Sequence, residues 1–488
     1  MKKYPLYLVL ALALILNACK KSGSGGGGTT PPVTNPPTTP TGLTYPKKEA
    51  RAVWITTVWG LDWPGTVYGE AAQKQQYINY LNKFKELNIN VIYFQVKGMS
   101  DAFYDSPYEP WSKFITGVRG QKPSYDVLKF LIDEAHARDI EFHAWMNPYR
   151  VATDFSQTLP NGVDASWLLD YPSIPIRIYN PAQPRVRERL ANIVKDLITK
   201  YDVDGIHFDD YFYPSSTTHP DAADYATYGA GQTSIQNFRR DNVNKAIKAV
   251  HDVIVATKPE IVFSVSPAPN KDYNYNTLFA DIVTWCREGW VDVIIPQLYQ
   301  ETTNTGSNAF ISNLNFWSAN SYKAALMVGH ALYKFGDPEQ YGTGSTAVAA
   351  FSSTNELQLQ FDLTKANAKV VGNVQYRALS ITSNKIGITD KLKSIYSNLA
   401  VMPFVGRAVA PAPAVATNVR FEGGELKWNT SGDVKSVVYY FSDLKKEGKV
   451  HAIIKGNTIS TNTKGYYVVS TLNVDNQESK PTDMVEKK

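Results

Sequence analysis

Short strand-like runs alternate with longer stretches of helical spacing eight times along this chain, and this repetition constrains the fold more than any other feature. The runs are rich in β-branched and aromatic residues, which favour strands. Eight such units predict an α/β fold, the (β/α)₈ TIM barrel. No glycine-rich phosphate loop follows the first run, which disfavours a doubly wound nucleotide-binding sheet. The eight predicted strands are Ala52–Val58, Asn90–Lys97, Glu141–Asn147, Gly205–Tyr211, Ile261–Ser266, Val291–Leu298, Ala324–Leu332 and Val374–Ile381.

Composition divides the chain into five predicted segments. Residues 20–42 are rich in Gly, Ser, Thr and Pro and bury too little apolar surface to fold, whereas residues 415–482 contain only strand-like runs. The position of Trp428 and the region around Tyr467, Asn473 and Ser479 resemble a fibronectin type III domain. We therefore predict a signal peptide at 1–18, a tether at 19–43, the barrel at 44–402, a linker at 403–414 and a fibronectin III-like β-sandwich at 415–488.

The first nineteen residues carry a lipoprotein signal. Lys2 and Lys3 precede an apolar run from Leu6 to Leu16, which is too short to span a bilayer and is typical of a signal-peptide core. The run ends in Leu-Asn-Ala-Cys, which resembles a bacterial lipobox with Cys19 as the lipidated residue. An ordinary signal peptide with an incidental cysteine is the alternative. We expect a lipid anchor at Cys19 in the cell envelope, with the periplasmic face of the outer membrane favoured over surface display.

Charge and cysteine content limit the classes of partner. The formal net charge is +5, and we find no basic stripe with interleaved aromatic residues, so we expect no nucleic acid partner. The chain has two cysteines, Cys19 and Cys286, and therefore no disulfide framework despite the predicted export. We expect a monomer whose partners are a glycan substrate and, through the anchor, a membrane.

Polar and aromatic side chains gather where the predicted strands end, which is where barrel enzymes carry their active sites. A barrel without a site has no need of them, because a polar group in the barrel mouth must be solvated or paired. Flat aromatic faces also suit sugar rings. We predict substrate-binding roles for Trp59, Asp62, Gln95, Lys97, Trp145, Asn147, Arg150, His207, Asp210, Tyr211, Gln297 and Tyr299.

The fourth predicted strand carries the sharpest signal, two adjacent aspartates at its end. Side chains alternate across a strand, so His207 and Asp209 share one face while Ile206 and Phe208 share the other. The apolar pair suits the helix-facing side, which places Asp209 inward as nucleophile or electrostatic stabiliser. Asp210 then has a supporting role, unless the strand ends there and the chain turns. A helix cap or a loop anchor is the alternative for both aspartates.

Glycosidic cleavage needs a second carboxyl group as proton donor or base. Glu301 is preferred because, in a continuous strand, its side chain would lie on the same face as those of Gln297 and Tyr299. Asp101 is the next candidate. A salt bridge or cap within a loop is the alternative for each. His143, His207 and Asp209 could instead form a metal set, but they lack metal-ligand spacing, and we expect no metal and no cofactor.

Several strings of the chain resemble the glycosyl-hydrolase-like family 10 lipoproteins over residues 45–400. The resemblance implies a barrel related to amylase-like and galactosidase-like hydrolases, with Asp209 as the counterpart of their strand-four nucleophile. It also implies peptidoglycan strands stripped of stem peptides as the substrate class. Lys97 stands where the family commonly has Arg, and residues 266–270 lack its longer motif. The matching strings are Arg51–Trp54, Asp62–Pro64, Phe94–Lys97, Asp101–Tyr104, Pro110–Ser112, His143–Trp145, Asn147–Arg150, Asp204–Pro214 and Pro296–Tyr299.

Two further functions remain open. A glycan-binding lipoprotein that has kept the barrel and lost the chemistry would explain the uncertain second carboxyl group. A metal-dependent deacetylase would explain histidines beside Asp209, and its activity would be sensitive to chelators. The leading prediction is an endo-acting glycoside hydrolase.

Overall fold

Eight parallel strands close into a barrel in the computed structural model, which describes residues 42–338, 344–407 and 410–488. The predicted signal peptide, Cys19 and nearly all of the predicted tether lie outside the described residues. A small antiparallel sheet, β4-β6-β5, follows the third barrel strand. In chain order, the strands up to the end of the barrel are β1 (Ala50–Ile55), β2 (Val91–Lys97), β3 (Glu141–Met146), β4 (Arg150–Ala152), β5 (Leu168–Tyr171), β6 (Ile176–Tyr179), β7 (Gly205–Phe208), β8 (Val262–Val265), β9 (Val293–Ile294), β10 (Ala325–Ala331) and β11 (Val370–Tyr376).

The predicted TIM barrel is confirmed, and each of the eight predicted runs contains part of one barrel strand. Four predicted strands, the first, fourth, sixth and eighth, end at least three residues earlier than predicted, at Ile55, Phe208, Ile294 and Tyr376. In the eighth unit, β11 ends at Tyr376 and a helix begins at Ala378. The buried side chains of Ala378 and Ile381 are three residues apart, which is the spacing of one helix face and not of a strand. The fourth strand, β7, ends at Phe208, because the chain then turns as the Tyr211 amide donates to Asp209 Oδ1.

Helices surround the barrel and pack their apolar faces against it. The helix Pro184–Lys200 begins with proline in its first turn, where a missing N–H costs nothing, and buries the predicted face of Leu190, Ile193, Val194, Leu197 and Ile198. The described helices are Glu70–Glu86, Lys113–Thr116, Val127–His136, Pro184–Lys200, Ala222–Tyr228, Ile235–Thr257, Lys271–Asn276, Ile282–Glu288, Phe310–Asn320, Ser345–Phe351, Asn355–Ala366, Ala378–Ser383 and Ile388–Ile395.

The two faces of β7 divide as the alternation predicts. Ile206 and Phe208 belong to the core between strands and helices. His207 lies inside the barrel, where its Nε2 accepts from the Trp54 indole at 3.1 Å and its Nδ1 bonds to Ser264 Oγ at 2.8 Å. Burial lowers the pKa of His207, so a neutral imidazole fills the barrel below the strand ends.

Two antiparallel sheets follow the barrel, one of three strands (β12-β13-β16) and one of four (β15-β14-β17-β18). Trp428 is buried between them with Val438 and Tyr467. The fibronectin III-like assignment and the predicted segment boundaries remain predictions. The strands are β12 (Thr417–Glu422), β13 (Glu425–Asn429), β14 (Lys435–Phe441), β15 (Lys449–Ile454), β16 (Thr458–Ser460), β17 (Gly465–Leu472) and β18 (Val485–Lys487).

These C-terminal sheets contact the amino-terminal end of the barrel. Lys435 pairs with Asp139 at 2.7 Å, and Asn476 donates to Glu141, the first residue of β3. The chain also enters on this side, because the ring of Tyr45 packs edge-on against Tyr439 with centroids 4.9 Å apart. No helix within the described ranges is long and apolar enough to cross a membrane.

Candidate active site

A cavity of about 640 Å³ opens at the carboxyl-terminal end of the barrel strands. Tyrosine and tryptophan rings form much of its wall, and the acidic groups Asp209 and Asp210 lie together at the end of β7. Carboxyl groups among aromatic faces suit a sugar ring, whose hydroxyls bond to the acids and whose C–H face packs on the rings. The aromatic lining residues are Trp54, Trp145, Tyr211, Tyr299, Tyr333, Phe335 and Tyr376.

Asp209 is the more deeply buried of the two acids, with 2% of its surface exposed. The Trp145 indole N–H donates to its Oδ2 at 3.1 Å, and the Tyr211 amide donates to its Oδ1 at 3.2 Å. Burial raises the pKa of Asp209 to about 7, the neighbouring Asp210 charge raises it too, and the Arg150 cation and both donors oppose the rise. The carboxyl group can therefore change its charge near neutral pH.

Asp210 also lines the cavity, because the chain leaves the strand geometry after Phe208. Gln297, which follows the sixth barrel strand β9, donates from Nε2 to Asp210 Oδ1 at 3.1 Å and to the Ser266 carbonyl at 3.2 Å. Burial raises the pKa of Asp210, and the Gln297 hydrogen bond opposes the rise. Strand alternation alone predicted a supporting position for Asp210, whereas here both aspartates face the same cavity.

Arg150 lies behind Tyr211 and carries its charge close to both aspartates. Its guanidinium carbon is 3.5 Å from the centre of the Tyr211 ring and 5.4 Å from that of Trp59. The side chain is buried, and its cation opposes the rise that burial causes in the pKa of Asp209 and Asp210. Arg150 and Trp59 do not themselves line the cavity, but they extend its Tyr211 wall.

Gln95, Lys97 and Asn147 lie below the cavity wall and do not line it. Gln95 Oε1 accepts from the backbone amides of Thr57 at 3.0 Å and Val58 at 2.9 Å, and its Nε2 donates to Asn147 Oδ1 at 2.9 Å. Lys97 donates to the Asn147 carbonyl at 3.3 Å, and burial lowers its pKa. These buried polar groups hold the turn after β1 against the end of β3.

Asp62 joins two loops of the cavity wall. Its carboxylate accepts from the Thr56 amide at 2.8 Å and the Leu379 amide at 3.0 Å, with Arg377 Nη1 at 3.7 Å. Burial raises its pKa to about 6, against the opposing effect of Arg377. Arg377 and Leu379 line the cavity while Asp62 does not, so Asp62 acts on the cavity through the start of the helix Ala378–Ser383.

The candidates for the second carboxyl group lie elsewhere. Glu301 is buried, accepts from Thr346 Oγ1 at 3.0 Å and does not line the cavity. Asp101 bonds to Ser112 and is likewise outside the lining, and burial raises its pKa. Within the described ranges, the carboxylates that line the cavity are those of Asp209, Asp210 and Asp337.

Two residues that line the cavity, the acid Asp337 and the aromatic residue Tyr376, were not among the site residues predicted from the sequence. Asp337 is paired with Lys385, which also lines the cavity. Asp337 lies in the segment that follows the barrel strand β10. The rule that selected Asp209, that site residues follow the ends of barrel strands, could therefore also have selected Asp337. Tyr299 and Gln297, which the sequence did predict, line the cavity beside Asp210.

The two histidines near the site have other partners. His143 Nε2 bonds to Glu141 at 3.1 Å, and His207 bonds to Trp54 and Ser264 inside the barrel. The described part of the chain holds no group of three or more His, Cys, Asp or Glu side chains that could bind a metal ion. The cavity is lined by carboxyl groups and aromatic rings together with the polar side chains of Gln297, Arg377 and Lys385.

The family model described as Glycosyl hydrolase-like 10 matches residues 49–343, which include the barrel strands β1 to β10 and both aspartates of the cavity. The chain belongs to this family. The chain is 32% identical to the glycosyl hydrolase YngK of Bacillus subtilis, over 89% of this chain and 92% of that protein. It is 30% identical to the glycosyl hydrolase DigH of Escherichia coli K12, over 76% of this chain and 91% of that protein.

Among solved structures, the glycoside hydrolase domain of PgaB from Bordetella bronchiseptica aligns with 71% of this chain and 99% of its own length. The two share 11% sequence identity and a TM-score of 0.46. Family membership identifies the chain as glycoside hydrolase-like. The roles of its individual residues remain predictions based on the geometry above.

Proposed function

We propose that this protein is a glycoside hydrolase that cleaves a cell-envelope glycan, with peptide-free peptidoglycan strands as its substrate. The observation that carries the proposal is the pair Asp209 and Asp210, both lining one cavity walled by aromatic rings, with the pKa of each raised by burial. Retaining and inverting glycosidases both use carboxyl groups at an oxocarbenium-like transition state. The substrate class rests on the resemblance of the strand-end motifs to their family.

In the proposed mechanism, Asp209 acts in its ionised form on the anomeric carbon. Its two oxygens already accept hydrogen bonds from Trp145 and Tyr211, which hold the carboxylate in one orientation. Asp210 is the proposed proton donor, because it is the other carboxyl group at the end of β7 that lines the same cavity. Its proton goes to the glycosidic oxygen as the bond from that oxygen to the anomeric carbon breaks, while the Asp209 charge stabilises the positive charge that develops at that carbon. Water then bonds to the anomeric carbon and gives one proton to Asp210, which restores both groups.

A non-catalytic glycan-binding lipoprotein is the second candidate. The observation that favours it is the position of Glu301 and Asp101 outside the cavity lining, which leaves no acid from those two strand ends to face Asp209. A binding protein would retain the aromatic walls and release no product from any glycan.

Substitution of Asp209 by Asn separates the two functions, since the amide keeps the shape and removes the charge. With purified peptide-free glycan strands and chromatographic detection of products, we expect kcat to fall by at least about a hundredfold. Glu301→Gln is the matched control, a buried acid outside the cavity, and we expect its turnover to stay within a few-fold of wild type. Equal turnover in D209N and wild type would refute the role of Asp209. Binding without product across a broad glycan panel would support the second candidate, and loss of deacetylation on chelation would support a metal enzyme.

We also propose that Cys19 carries a lipid that holds a monomer at the periplasmic face of the outer membrane. The proposal rests on the lipobox-like string that ends at Cys19. Cys19→Ala should move the protein from the membrane fraction to the soluble fraction of the envelope. Unchanged membrane association of the variant would contradict the anchor.

A further inference from the structure

We propose that Trp59, Arg150 and Tyr211 form a platform on which a second sugar ring of the glycan stacks, outside the cavity that holds the ring at Asp209. The inference rests on the proposed function, because it extends the same substrate beyond the reacting ring. It makes the protein an enzyme for polymeric strands whose affinity depends on chain length.

The platform consists of two aromatic rings that both contact one guanidinium beside the cavity. Tyr211 lines the cavity, the Arg150 guanidinium lies 3.5 Å from the Tyr211 ring centre, and the Trp59 ring centre lies 5.4 Å from the same guanidinium. Arginine stacks on aromatic faces through its planar, weakly hydrated cation. The two aromatic residues are exposed, 56% for Trp59 and 45% for Tyr211, while Arg150, which contacts both, is 4% exposed. A buried cation therefore fixes two exposed rings beside the cavity.

The backbone at Trp59 has a strained conformation that the surrounding structure maintains. Trp59 has φ of 57°, the left-handed region that is unfavourable for a bulky side chain. The turn is held from below by Gln95 Oε1, which accepts from the Thr57 and Val58 amides, and Gln95 is held by Asn147. Burial of the indole does not offset this strain, because more than half of the side chain is exposed.

A strained and exposed tryptophan next to a glycan cavity indicates a binding role. The indole offers a flat apolar face, which matches the C–H face of a pyranose ring. A polymer that places one ring at Asp209 continues past Tyr211, so the platform is the surface that its next ring meets. We therefore assign the platform to a neighbouring sugar of the same strand.

Trp59→Gly tests this assignment, because glycine relieves the strained φ while removing the stacking face. We expect the KM for long peptide-free strands to rise about tenfold more than the KM for the shortest cleaved oligosaccharide. We expect Tm to stay equal or rise, whereas loss of a merely structural residue would lower it. Trp59→Asn, which also tolerates the left-handed region, gives a second variant should the glycine variant fold poorly.

Tyr322 is a matched control elsewhere on the molecule. It has φ of 46°, is 51% exposed and stacks with Arg287 at 5.0 Å, but it precedes β10 at the opposite end of the barrel. Tyr322→Gly should leave the KM for every chain length unchanged.

Binding measured without turnover completes the test. In the D209N background, the Kd for long strands should rise about tenfold on adding W59G. Unchanged Kd and unchanged chain-length dependence would overturn the platform while leaving the hydrolase intact. Full turnover by D209N would instead overturn the proposed function.

Discussion

The Trp145 indole N–H donates to Oδ2 of Asp209 across 3.1 Å, from the strand next to the one that Asp209 follows. The bond favours the ionised carboxylate and so opposes the effect of burial on its pKa. Trp145→Phe keeps a ring and removes the donor. We expect the pKa of Asp209 to rise further and the acidic limb of kcat/KM to move to higher pH. A pH–rate profile measures this, and an unmoved limb would contradict the proposed ionised role.

The wild-type enzyme should itself show a change in kcat/KM near neutral pH. Burial raises the pKa of Asp209 to about 7, and the proposed mechanism needs the ionised form, so kcat/KM should rise as pH increases through about 7. Asp209 and Asp210 interact, so the observed limb belongs to the coupled pair. A rate that is flat from pH 5 to pH 8 would count against Asp209 as the ionised group.

Gln297→Leu should change the basic limb of the pH profile of kcat/KM. Gln297 Nε2 donates to Asp210 at 3.1 Å and favours the ionised form of that acid, so its loss raises the pKa of Asp210. The proposed proton donor then keeps its proton to higher pH, and the basic limb moves upward. Trp145→Phe serves as the control, because it should move the acidic limb of the same profile while Gln297→Leu moves the basic limb. Displacement of the same limb by both would refute the division of roles.

Asp209 should also lower the stability of the fold. Its folded pKa, about 7, lies above the ordinary value near 3.8, so the unfolded state loses its proton more readily. Stability from this group is retained below about pH 4 and lost as pH rises to about 7. Asp209→Asn removes this pH dependence and also leaves the Trp145 or Tyr211 N–H without an acceptor, a loss that is the same at every pH. The free energy of unfolding of the variant relative to wild type should therefore be higher above pH 7 than at pH 4, by up to a few kcal/mol. Denaturant unfolding at both pH values measures this, and equal differences would contradict it.

Asp62→Asn should loosen the cavity wall. The carboxylate accepts from the Thr56 and Leu379 amides, and an asparagine presents an NH₂ group that cannot accept from one of them. A buried amide left without an acceptor costs about 1–3 kcal/mol, so stability should fall by that order near pH 4, where the raised pKa of Asp62 gives no offset. Asp105→Asn, which removes only the exposed pair with Lys122, should change stability by under about 1 kcal/mol. Similar losses in both variants would refute the role of Asp62.

Much of the fold could be predicted from the sequence, because β-branched runs and helical periodicity recur together eight times. The inward position of Asp209 followed from two-residue alternation in a strand whose other face, Ile206 and Phe208, is apolar. The same alternation failed for Glu301. Its parity with Gln297 assumed a continuous strand, but β9 ends at Ile294 and the chain then turns, with the Tyr299 amide donating to the Gln297 carbonyl.

The remaining parts of the site depend on contacts that no local pattern encodes. Asp210 reaches the cavity only because β7 ends one residue before Asp209, and Arg150 meets Trp59 only when the ends of two distant strands come together. Gln95 and Asn147 were predicted among the substrate-binding residues from their strand ends. The structure places them under the wall, where burial directs their polar groups to backbone and to each other.

The chain enters the described structure beside the C-terminal sheets, with Thr44 bridged to Glu447 and Tyr45 against Tyr439. Those sheets contact the amino-terminal end of the barrel, and the cavity opens at the other end. The first described residues and the mouth of the cavity therefore lie at opposite ends of the barrel. Whatever precedes Gly42 is thus joined to the barrel away from the mouth, and the cavity stays accessible to a long polymer.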